Sequence, residues 1–347
     1  MAYLYIHINN DFSGSPYAMR AIIRSHNQKD FKLMTSHQNN GFLSDFTHEK
    51  IINVGYKFHG KNFKTILSLS KYFFISFLKS FLFNNRFDTF YINTIMPWTA
   101  AVAGKLRKKK IIYHIHEFYY YPGMQSKFYI FIISKIADEI IYVSKYVQQE
   151  YHKKYPSFTK IPSKVKFTPI RFKTISSNKL FLKNKFEGPI IMICSPKKYK
   201  GIPMFAEIAK YFSSLNFILY ISEPLEFKLE NEKNMKIIVG KSNLIMDYRN
   251  ASICLNLSQN PDWIETFGLT IWESLSQGTP VIAPNIGGPV ELLNNEGGIN
   301  CDTTSKQKII NSIKKILTNY KIYSDFCSKA VDRSKFLETT NKIDEIK

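Results

Sequence analysis

The chain has 347 residues, of which 44% are hydrophobic, so it exceeds one ordinary doubly wound domain and can form two separate cores. The formal net charge is +21, and residues 1–175 hold 26 Lys and Arg against 9 Asp and Glu, whereas residues 176–347 hold 22 against 18. This asymmetry predicts a basic surface that faces an anionic partner, either nucleic acid or an acidic lipid leaflet. The scattered basic residues, with Arg107–Lys110 as a cluster and no recognised nucleic-acid-binding module, disfavour nucleic acid.

The amino-terminal run Met1–Ile8 has no basic leader and no cleavage site, so it predicts a buried first strand and not a secretory signal. The four cysteines, at positions 194, 254, 301 and 327, are far apart and form no metal-type or redox-type pair. These features predict free thiols in a reducing compartment, and therefore a cytoplasmic protein.

Short apolar strands alternate with longer helical patterns along the chain, which predicts parallel α/β architecture. In the first half, the predicted strands are Tyr3–Asn9, Lys32–Thr35, Thr89–Asn93, Lys110–His114 and Glu139–Val143. The predicted helices there are Tyr17–Asn27, Phe63–Leu82, Pro97–Leu106 and Ser126–Ala137.

The aromatic stretch Lys64–Phe83 is long, but Lys71 and Lys79 interrupt it and disfavour a helix that spans a bilayer. Two interpretations remain open. The segment is either a core helix whose two lysines extend to solvent, or a helix that lies partly in a membrane interface. Both interpretations keep the protein on the cytoplasmic side of a membrane.

The stretch Tyr155–Asn184 is rich in Lys, Ser, Thr and Pro and weakly periodic, which predicts a linker between domains. A second series of strands then follows, at Gly188–Cys194, Phe217–Ser222, Met235–Val239, Ser252–Leu257, Thr279–Ala283 and Gly298–Asn300. We therefore predict two Rossmann-like doubly wound domains, residues 1–175 and 176–330, that face each other across a ligand-binding cleft. A final helix over residues 331–347 is expected to pack back on the first domain.

The segment Pro261–Glu273 carries the clearest chemistry. Thr266, Phe267 and Gly268 form a turn before a helix that begins near Leu269, where free backbone N–H groups and the helix dipole attract a diphosphate. Glu265 precedes this turn, and Glu273 follows eight residues later, about two helical turns further on. Two carboxylates at this spacing can bind the hydroxyls of two parts of one elongated ligand, although a loop Glu and a solvated helix Glu are also possible.

The same segment resembles the signature of the retaining glycosyltransferases of family 4, which have the GT-B fold. The resemblance consists of two glutamates separated by seven residues with Phe267–Gly268 between them, and it continues through Gly278–Leu292 in order and spacing. It implies that Glu273 binds the ribose hydroxyls of a nucleotide-sugar donor and that Glu265 binds the hydroxyls of the donor sugar. The amides of Phe267, Gly268 and Leu269 would then neutralise the departing diphosphate, with Thr266 in the same turn.

The resemblance extends over the rest of the second domain. Lys200–Gly201 occupies the position of the family's lysine loop, which implies that the Lys200 ammonium binds the diphosphate. The family usually has an arginine five residues before this lysine, and here that position is Ser195, so Lys197 or Lys198 is expected to supply the missing charge. Gly240, after the predicted strand Met235–Val239, resembles the family's region around the nucleotide base.

In the first domain the resemblance is looser. Ser13 and Gly14 follow the first strand and precede a helix, like the short glycine loop that faces the diphosphate and acceptor in the family. His114 and His116 lie near the end of the fourth predicted strand, where the family commonly has a histidine near the transferred sugar. We predict His116, because a residue at the end of a strand reaches the cleft while His114 lies two residues back.

The resemblance implies a hexosyltransferase that keeps the anomeric configuration, with His116 orienting the sugar. No Asp-any-Asp pair occurs in the chain, so a metal-independent enzyme without a cofactor is expected. The basic first domain and residues 63–83 favour peripheral contact with an anionic membrane and a glycan or lipid-linked glycan acceptor, as in the synthesis of O-antigen, capsule or lipopolysaccharide. The alternatives are another GT-B activity, such as a sugar-nucleotide epimerase or phosphorylase, or a non-catalytic sugar-nucleotide-binding protein.

Overall fold

The chain folds as two compact units, Met1–Pro169 and Ile170–Lys347, in the computed structural model. The structure describes residues 2–27, 30–36, 41–57, 60, 63–82, 86–118, 123–176, 182–230, 232–241 and 243–346. The boundary between the units falls between Pro169 and Ile170, whereas the sequence predicted it between residues 175 and 176.

Unit 1 is a parallel sheet with helices between most of its successive strands. Its strands are β1 (Tyr3–Ile6), β2 (Phe31–Thr35), β3 (Ile51–Asn53), β4 (Thr89–Asn93), β5 (Lys110–Ile115), β6 (Glu139–Tyr142) and β7 (Ser163–Val165). Its helices are α1 (Gly14–His26), α2 (Phe63–Leu82), α3 (Trp98–Leu106), α4 (Met124–Ile136) and α5 (Lys145–Lys154). The strand order is β3-β2-β1-β4-β5-β6-β7.

Unit 2 repeats this architecture with a smaller parallel sheet. Its strands are β8 (Ile190–Cys194), β9 (Phe217–Ile221), β10 (Met235–Val239), β11 (Ile253–Leu255), β12 (Val281–Pro284) and β13 (Gly298–Cys301), in the order β10-β9-β8-β11-β12-β13. Its helices are α6 (Leu182–Phe186), α7 (Ile202–Tyr211), α8 (Ile245–Asn250), α9 (Leu269–Ser276), α10 (Gly288–Leu293), α11 (Lys306–Ile316) and α12 (Tyr320–Ile346).

The central strands are nearly continuous runs of apolar residues because helices cover both faces of a parallel sheet. All five residues of β4 and all four residues of β12 are buried. Each sheet therefore forms the centre of its own hydrophobic core, and the two doubly wound parallel sheets agree with the predicted fold class.

The strand order reverses direction at one point in each sheet. In unit 1 the chain leaves β1 toward β2 and β3 and returns on the other side of β1 as β4. In unit 2 the equivalent neighbours are β8 and β11. Loops that follow two such neighbouring strands diverge to opposite sides of the sheet and leave a crevice, which is where doubly wound sheets bind ligands.

The carboxyl-terminal helix belongs to unit 2. The helix α12 runs unbroken from Tyr320 to Ile346 rather than beginning at residue 331. It packs along α9, where the Trp272 indole donates a hydrogen bond to Ser334 Oγ at 3.1 Å, and Arg333 Nε donates to the carbonyl of Leu292 at 2.9 Å. The predicted linker contains the strand β7 and the beginning of the helix α6, while residues 177–181 lie outside the described part of the chain.

The helix α2 is oriented with its small polar residues toward the protein. Tyr72, Ser76 and Ser80 are fully buried, and Ser76 Oγ lies 2.8 Å from Thr99 Oγ1 of α3. Six of its large apolar side chains point outward, with exposed fractions between 42% and 76% at Phe63, Ile66, Leu67, Phe74, Leu78 and Leu82. Among the described helices, α2 is long and apolar enough to cross a membrane by length and composition, and 17% of its apolar stretch is buried in the protein. The helix is therefore not a buried core helix, because one side packs on unit 1 and the other is exposed, and the interpretation of a helix that lies partly in a membrane interface stays a prediction.

Candidate functional site

Lys200 and Glu265 form an ion pair at the crevice of unit 2. Lys200 follows β8 and Glu265 follows β11, the two neighbouring strands at which the strand order reverses. The Lys200 ammonium donates a hydrogen bond to Glu265 Oε2 at 2.8 Å, although the residues are 65 positions apart. The side chains keep 15% and 17% of their surface exposed, respectively, so the pair is partly enclosed and reachable.

A glycine permits this approach of the two loops. Gly201 adopts φ 84°, and a Cβ built there would meet the carbonyl oxygen of Leu257 at 2.2 Å. Any other residue would therefore force the lysine loop away from the segment that leads to Glu265.

The surroundings keep Glu265 ionised. Burial alone would raise its pKa, but the charge of Lys200 and hydrogen bonds from Lys200, Ser258 and Asn256 lower the pKa below its ordinary value. Ser258 Oγ lies 3.2 Å from the same Oε2 atom that Lys200 contacts. The site thus presents a carboxylate and an ammonium side by side at neutral pH.

The turn before α9 lies directly beside this pair. Gly268 caps the helix with φ 101°, so Thr266, Phe267 and Gly268 form the predicted turn and Leu269 begins the helix. The glycines Gly287 and Gly288 pack closely against the backbone of this turn. The Gly288 N–H donates to the Glu265 carbonyl at 2.9 Å, and a Cβ on Gly288 would meet the Thr266 carbonyl oxygen at 2.4 Å. The backbone N–H groups at the start of a helix and the helix dipole attract negative charge, which makes this turn suited to an anion.

Glu273 lies in a different environment from Glu265. It is fully buried on α9, and Arg171 binds both of its carboxylate oxygens, with Nε and Nη2 each 2.6 Å from an oxygen. The Tyr248 hydroxyl donates a third hydrogen bond to Oε2 at 3.1 Å. A ribose hydroxyl can reach this carboxylate only if Arg171 or Tyr248 moves aside.

Four other predicted residues of unit 2 follow the strands β8 and β10. Ser195 is exposed after β8, and Gly240 follows β10 with φ 74°. The Lys197 ammonium lies 3.3 Å from Glu226. Likewise, the Lys198 ammonium lies 5.2 Å from the centre of the Phe227 ring. Both lysines therefore contact the segment after β9, while Lys200 contacts Glu265.

In unit 1, Ser13 and Gly14 begin α1 as predicted. Ser13 is the N-cap residue, and its N–H donates to Asp11 Oδ1 at 2.8 Å. A Cβ on Gly14 would meet no atom within 4 Å, so this glycine leaves open space at the start of the helix.

The two histidines near the end of β5 have different environments. His114 is fully buried in the strand, and its Nδ1 atom lies 2.9 Å from the Tyr91 hydroxyl. His116 follows the strand, and its Nε2 atom donates to Asn93 Oδ1 at 2.6 Å. This placement agrees with the reason for predicting His116 over His114.

Sequence reasoning missed the residues that hold His116. Asn93, at the end of β4, binds His116 through its carbonyl oxygen and lies 3.1 Å from His7 Nδ1 through its amide nitrogen. The signal was available, because the carboxyl ends of the neighbouring strands β1, β4 and β5 each carry a polar residue at this edge. Burial lowers the pKa of His7 to about 4 and that of His116 to about 3, so both rings are neutral at pH 7.

Two family models match the chain. The model described as Glycosyltransferase Family 4 matches residues 13–165, and the model described as Glycosyl transferases group 1 matches residues 224–333. The second segment contains Glu265, the turn and Glu273. The predicted resemblance is therefore confirmed, because each half of the chain matches a glycosyltransferase family model.

Solved structures with the same fold cover nearly the whole chain. HepE of Anabaena, solved in complex with UDP and glucose, has a TM-score of 0.77 and 16% identity, and the match covers 100% of this chain and 99% of that one. Sucrose-phosphate synthase of Thermosynechococcus elongatus has a TM-score of 0.72 and 16% identity, with 97% and 95% covered. These likenesses confirm the GT-B class of two Rossmann-like domains.

A curated relative matches over a shorter segment. The probable sucrose-phosphate synthase 2 of Craterostigma plantagineum is 35% identical over 85 residues, which are 24% of this chain and 8% of that protein. The match thus spans a small part of the relative's length.

The buried histidines of unit 1 make its stability sensitive to acid. The unfolded chain protonates His7 near pH 6.5, whereas the folded chain resists protonation down to about pH 4, so stability is lost as the pH falls through this window. The loss is on the order of 3 kcal/mol for one such imidazole. We expect His7→Asn, which keeps a hydrogen-bond acceptor for Asn93, to reduce the drop in melting temperature between pH 7.5 and pH 4.5 measured by calorimetry.

The control is His48→Asn, which changes an exposed histidine of the same unit. It should leave the drop in melting temperature as it is in the wild type. An equal acid sensitivity of His7→Asn and the wild type would contradict the assignment of His7 as a buried neutral ring.

Proposed function

We propose that the chain transfers a hexose-type sugar from a nucleoside diphosphate sugar to an acceptor hydroxyl and keeps the anomeric configuration. The observation that carries this proposal is the Lys200–Glu265 pair beside the first turn of α9, at the crevice of unit 2. An ammonium and helix amides suit a diphosphate, and an ionised carboxylate suits sugar hydroxyls. HepE, which has the same fold, was solved in complex with UDP and glucose.

In this proposal each group has a distinct task. Lys200 and the amides of Phe267, Gly268 and Leu269 stabilise the negative charge that develops on the leaving diphosphate. Glu265 accepts hydrogen bonds from the donor sugar. Glu273 binds the ribose, which requires the Arg171 guanidinium to give up at least one of its two contacts with this carboxylate.

The acceptor attacks on the face from which the diphosphate leaves, and the leaving phosphate helps to remove the acceptor's proton. His116, neutral and fixed by Asn93, orients the sugar and does not act as the base. No step requires a metal ion, because Lys200 and the helix amides supply the positive field. Ser195 stands where the family usually has an arginine. Lys200 is therefore the ammonium in contact with Glu265, whereas the Lys197 ammonium contacts Glu226.

Removing either partner of the ion pair should impair transfer. We expect Lys200→Ala and Glu265→Gln each to lower the rate by about 10²–10³, the typical cost of losing one group that stabilises transition-state charge. The measurement is release of nucleoside diphosphate from a nucleotide sugar in the presence of a membrane-lipid extract as acceptor, with EDTA present. Lys210→Ala, which changes an exposed lysine on α7, is the matched control and should keep the wild-type rate.

Wild-type rates in both Lys200→Ala and Glu265→Gln would show that the site is assigned incorrectly. A need for divalent metal after EDTA treatment would contradict the metal-independent mechanism. Epimerisation or hydrolysis of the donor without dependence on an acceptor would favour the alternative GT-B activities.

The acceptor in this proposal is a glycan, carried on a lipid at the inner face of the membrane, as in surface polysaccharide synthesis. The support is the bare face of unit 1 formed by α2 and α4. On α4, Met124, Phe128 and Phe131 are 86%, 47% and 58% exposed, one turn or two apart on one side of the helix. The Trp98 ring joins the two helices, because its centre lies 5.6 Å from that of Phe73 on α2 and 5.2 Å from that of Phe128.

Lysines surround this apolar face. Lys64 and Lys71 are exposed on α2, and Lys127 and Lys135 are exposed on α4. A combination of outward aromatic residues and lysines is typical of surfaces that lie in the interface of an anionic bilayer. The protein would then be cytoplasmic and peripheral at the membrane.

The bare face should bind anionic vesicles. We expect the full chain to float with phosphatidylglycerol-containing liposomes at low salt, and less so at high salt or with neutral phosphatidylcholine. Phe74→Asp should weaken this partition about tenfold or more, because the exposed ring no longer enters the apolar layer. Phe336→Asp, at a 58% exposed phenylalanine of unit 2, is the matched control. Equal flotation of the two variants, or no flotation of the wild type, would contradict membrane contact through this face.

A further inference from the structure

A stacked pair of aromatic rings lies beside the Lys200–Glu265 pair, and the family resemblance assigns it no role. Tyr199 directly precedes Lys200, and Trp263 lies two residues before Glu265. Their ring centres are 5.1 Å apart with an angle of 18° between the planes, so the rings are nearly parallel. Trp263 nevertheless keeps 38% of its surface exposed.

Backbone hydrogen bonds hold the two rings in register. The Gln259 N–H donates to the Tyr199 carbonyl at 3.0 Å, and the Trp263 N–H donates to the Gln259 carbonyl at 2.8 Å. The loops after β8 and β11 are thereby joined through Gln259. The backbone at Trp263 is therefore held by the same two loops that carry Lys200 and Glu265.

The ring is close enough to the ion pair to share one ligand with it. The Lys200 ammonium lies 4.7 Å from the centre of the Trp263 ring and 2.8 Å from Glu265 Oε2. An ammonium at this distance from an indole is attracted by the ring's negative face. An exposed indole, an ammonium and a carboxylate therefore occupy a single small area of unit 2.

This combination matches the chemistry of a pyranose ring. A pyranose presents hydroxyls around its edge and a patch of C–H groups on its face, so it needs hydrogen-bond acceptors and a flat apolar surface at right angles to them. Aromatic side chains supply such surfaces in ligand sites, together with a few placed polar groups. Glu265 can accept from the edge hydroxyls while Trp263 covers the C–H face.

We propose that Trp263, supported by Tyr199, packs against the apolar face of the pyranose ring that Glu265 binds, while the Lys200 ammonium turns from the Trp263 ring to the diphosphate. The inference rests on the proposed function, because it assigns to Trp263 a contact with the donor sugar and none with the nucleotide. It also restricts the donor to sugars whose ring has an uninterrupted C–H face. Trp263 then contributes to sugar binding through the apolar surface that the sugar covers and not through a charge.

The test compares a nucleoside diphosphate with its sugar-bearing form. Calorimetric titrations of the wild type, Trp263→Ala and Trp263→Phe use UDP and UDP-glucose, and GDP and GDP-mannose. We expect Trp263→Ala to bind the sugar nucleotide at least tenfold more weakly than the wild type and the free diphosphate within twofold of it. Trp263→Phe should retain most of the affinity, and Phe336→Ala, at an exposed ring of α12, should retain all of it.

Fluorescence gives a second readout. Of the three tryptophans, Trp272 is buried and Trp98 belongs to unit 1, so Trp263 is the tryptophan placed to report on the crevice of unit 2. We expect the sugar nucleotide to change the emission of the wild type more than the free diphosphate does, and Trp263→Phe to lose this difference.

The outcomes separate the two claims. If the wild type binds a sugar nucleotide and Trp263→Ala, with an unchanged melting temperature, binds it equally well, the inference about Trp263 is wrong and the proposed function stands. If Trp263→Ala weakens the free diphosphate as much as the sugar nucleotide, the ring does not contact the sugar. If the wild type binds none of the four ligands, the proposed function fails and this inference fails with it.

Discussion

The candidate site depends on the ion pair between Lys200 and Glu265. These residues come from loops that follow neighbouring strands at the point where the sheet of unit 2 reverses its order, so the topology alone brings them together. Each charge is partly enclosed, and removing either one would leave the other without its partner. Gly201 and Gly288 permit the close backbone approach that keeps the pair and the turn before α9 in one place. A ligand with a diphosphate and a sugar would meet the ammonium, the helix amides and the carboxylate in the same small region.

The two glutamates of the motif differ in what surrounds them, although they look alike in the sequence. Glu265 has one strong partner and retains surface toward solvent, whereas Glu273 is enclosed by Arg171 and Tyr248. Binding of a ribose at Glu273 must compete with a bidentate guanidinium, which is among the stronger hydrogen-bonding partners of a carboxylate. If a nucleotide binds at Glu273 as proposed, the segment around Arg171, at the start of unit 2, has to rearrange.

Much of the fold could be predicted because its elements are long and periodic. The helix α2 and the strands β4 and β10 have the predicted bounds, and the turn at Gly268 begins α9 where the motif placed it. The short strands β3 and β7 were missed, since three residues give too little alternation to recognise. The local sequence pattern also did not predict that Lys185 is buried. Its ammonium donates to the carbonyls of Tyr248 and Arg249 and to Thr279 Oγ1.

The candidate site, like the fold, could be predicted from the sequence only in part. Lys200, Glu265 and the turn are close in space because strand order places them so, and the sequence motif already implied it. The partners Arg171 and Glu273 are 102 positions apart, and Asn93 and His7 are 86 apart, so only the folded chain reveals these contacts. The outward orientation of the apolar side of α2 was likewise invisible, because composition alone does not show which side of a helix meets the protein.

Hydrogen–deuterium exchange of the intact chain, with and without UDP-glucose or GDP-mannose, locates the bound ligand most directly. The account predicts slower exchange in the peptides that cover residues 195–201 and 264–271, together, at ligand concentrations that saturate binding. Protection confined to other segments, with both of these unchanged, would contradict the claim that Lys200, Glu265 and the start of α9 form one binding site.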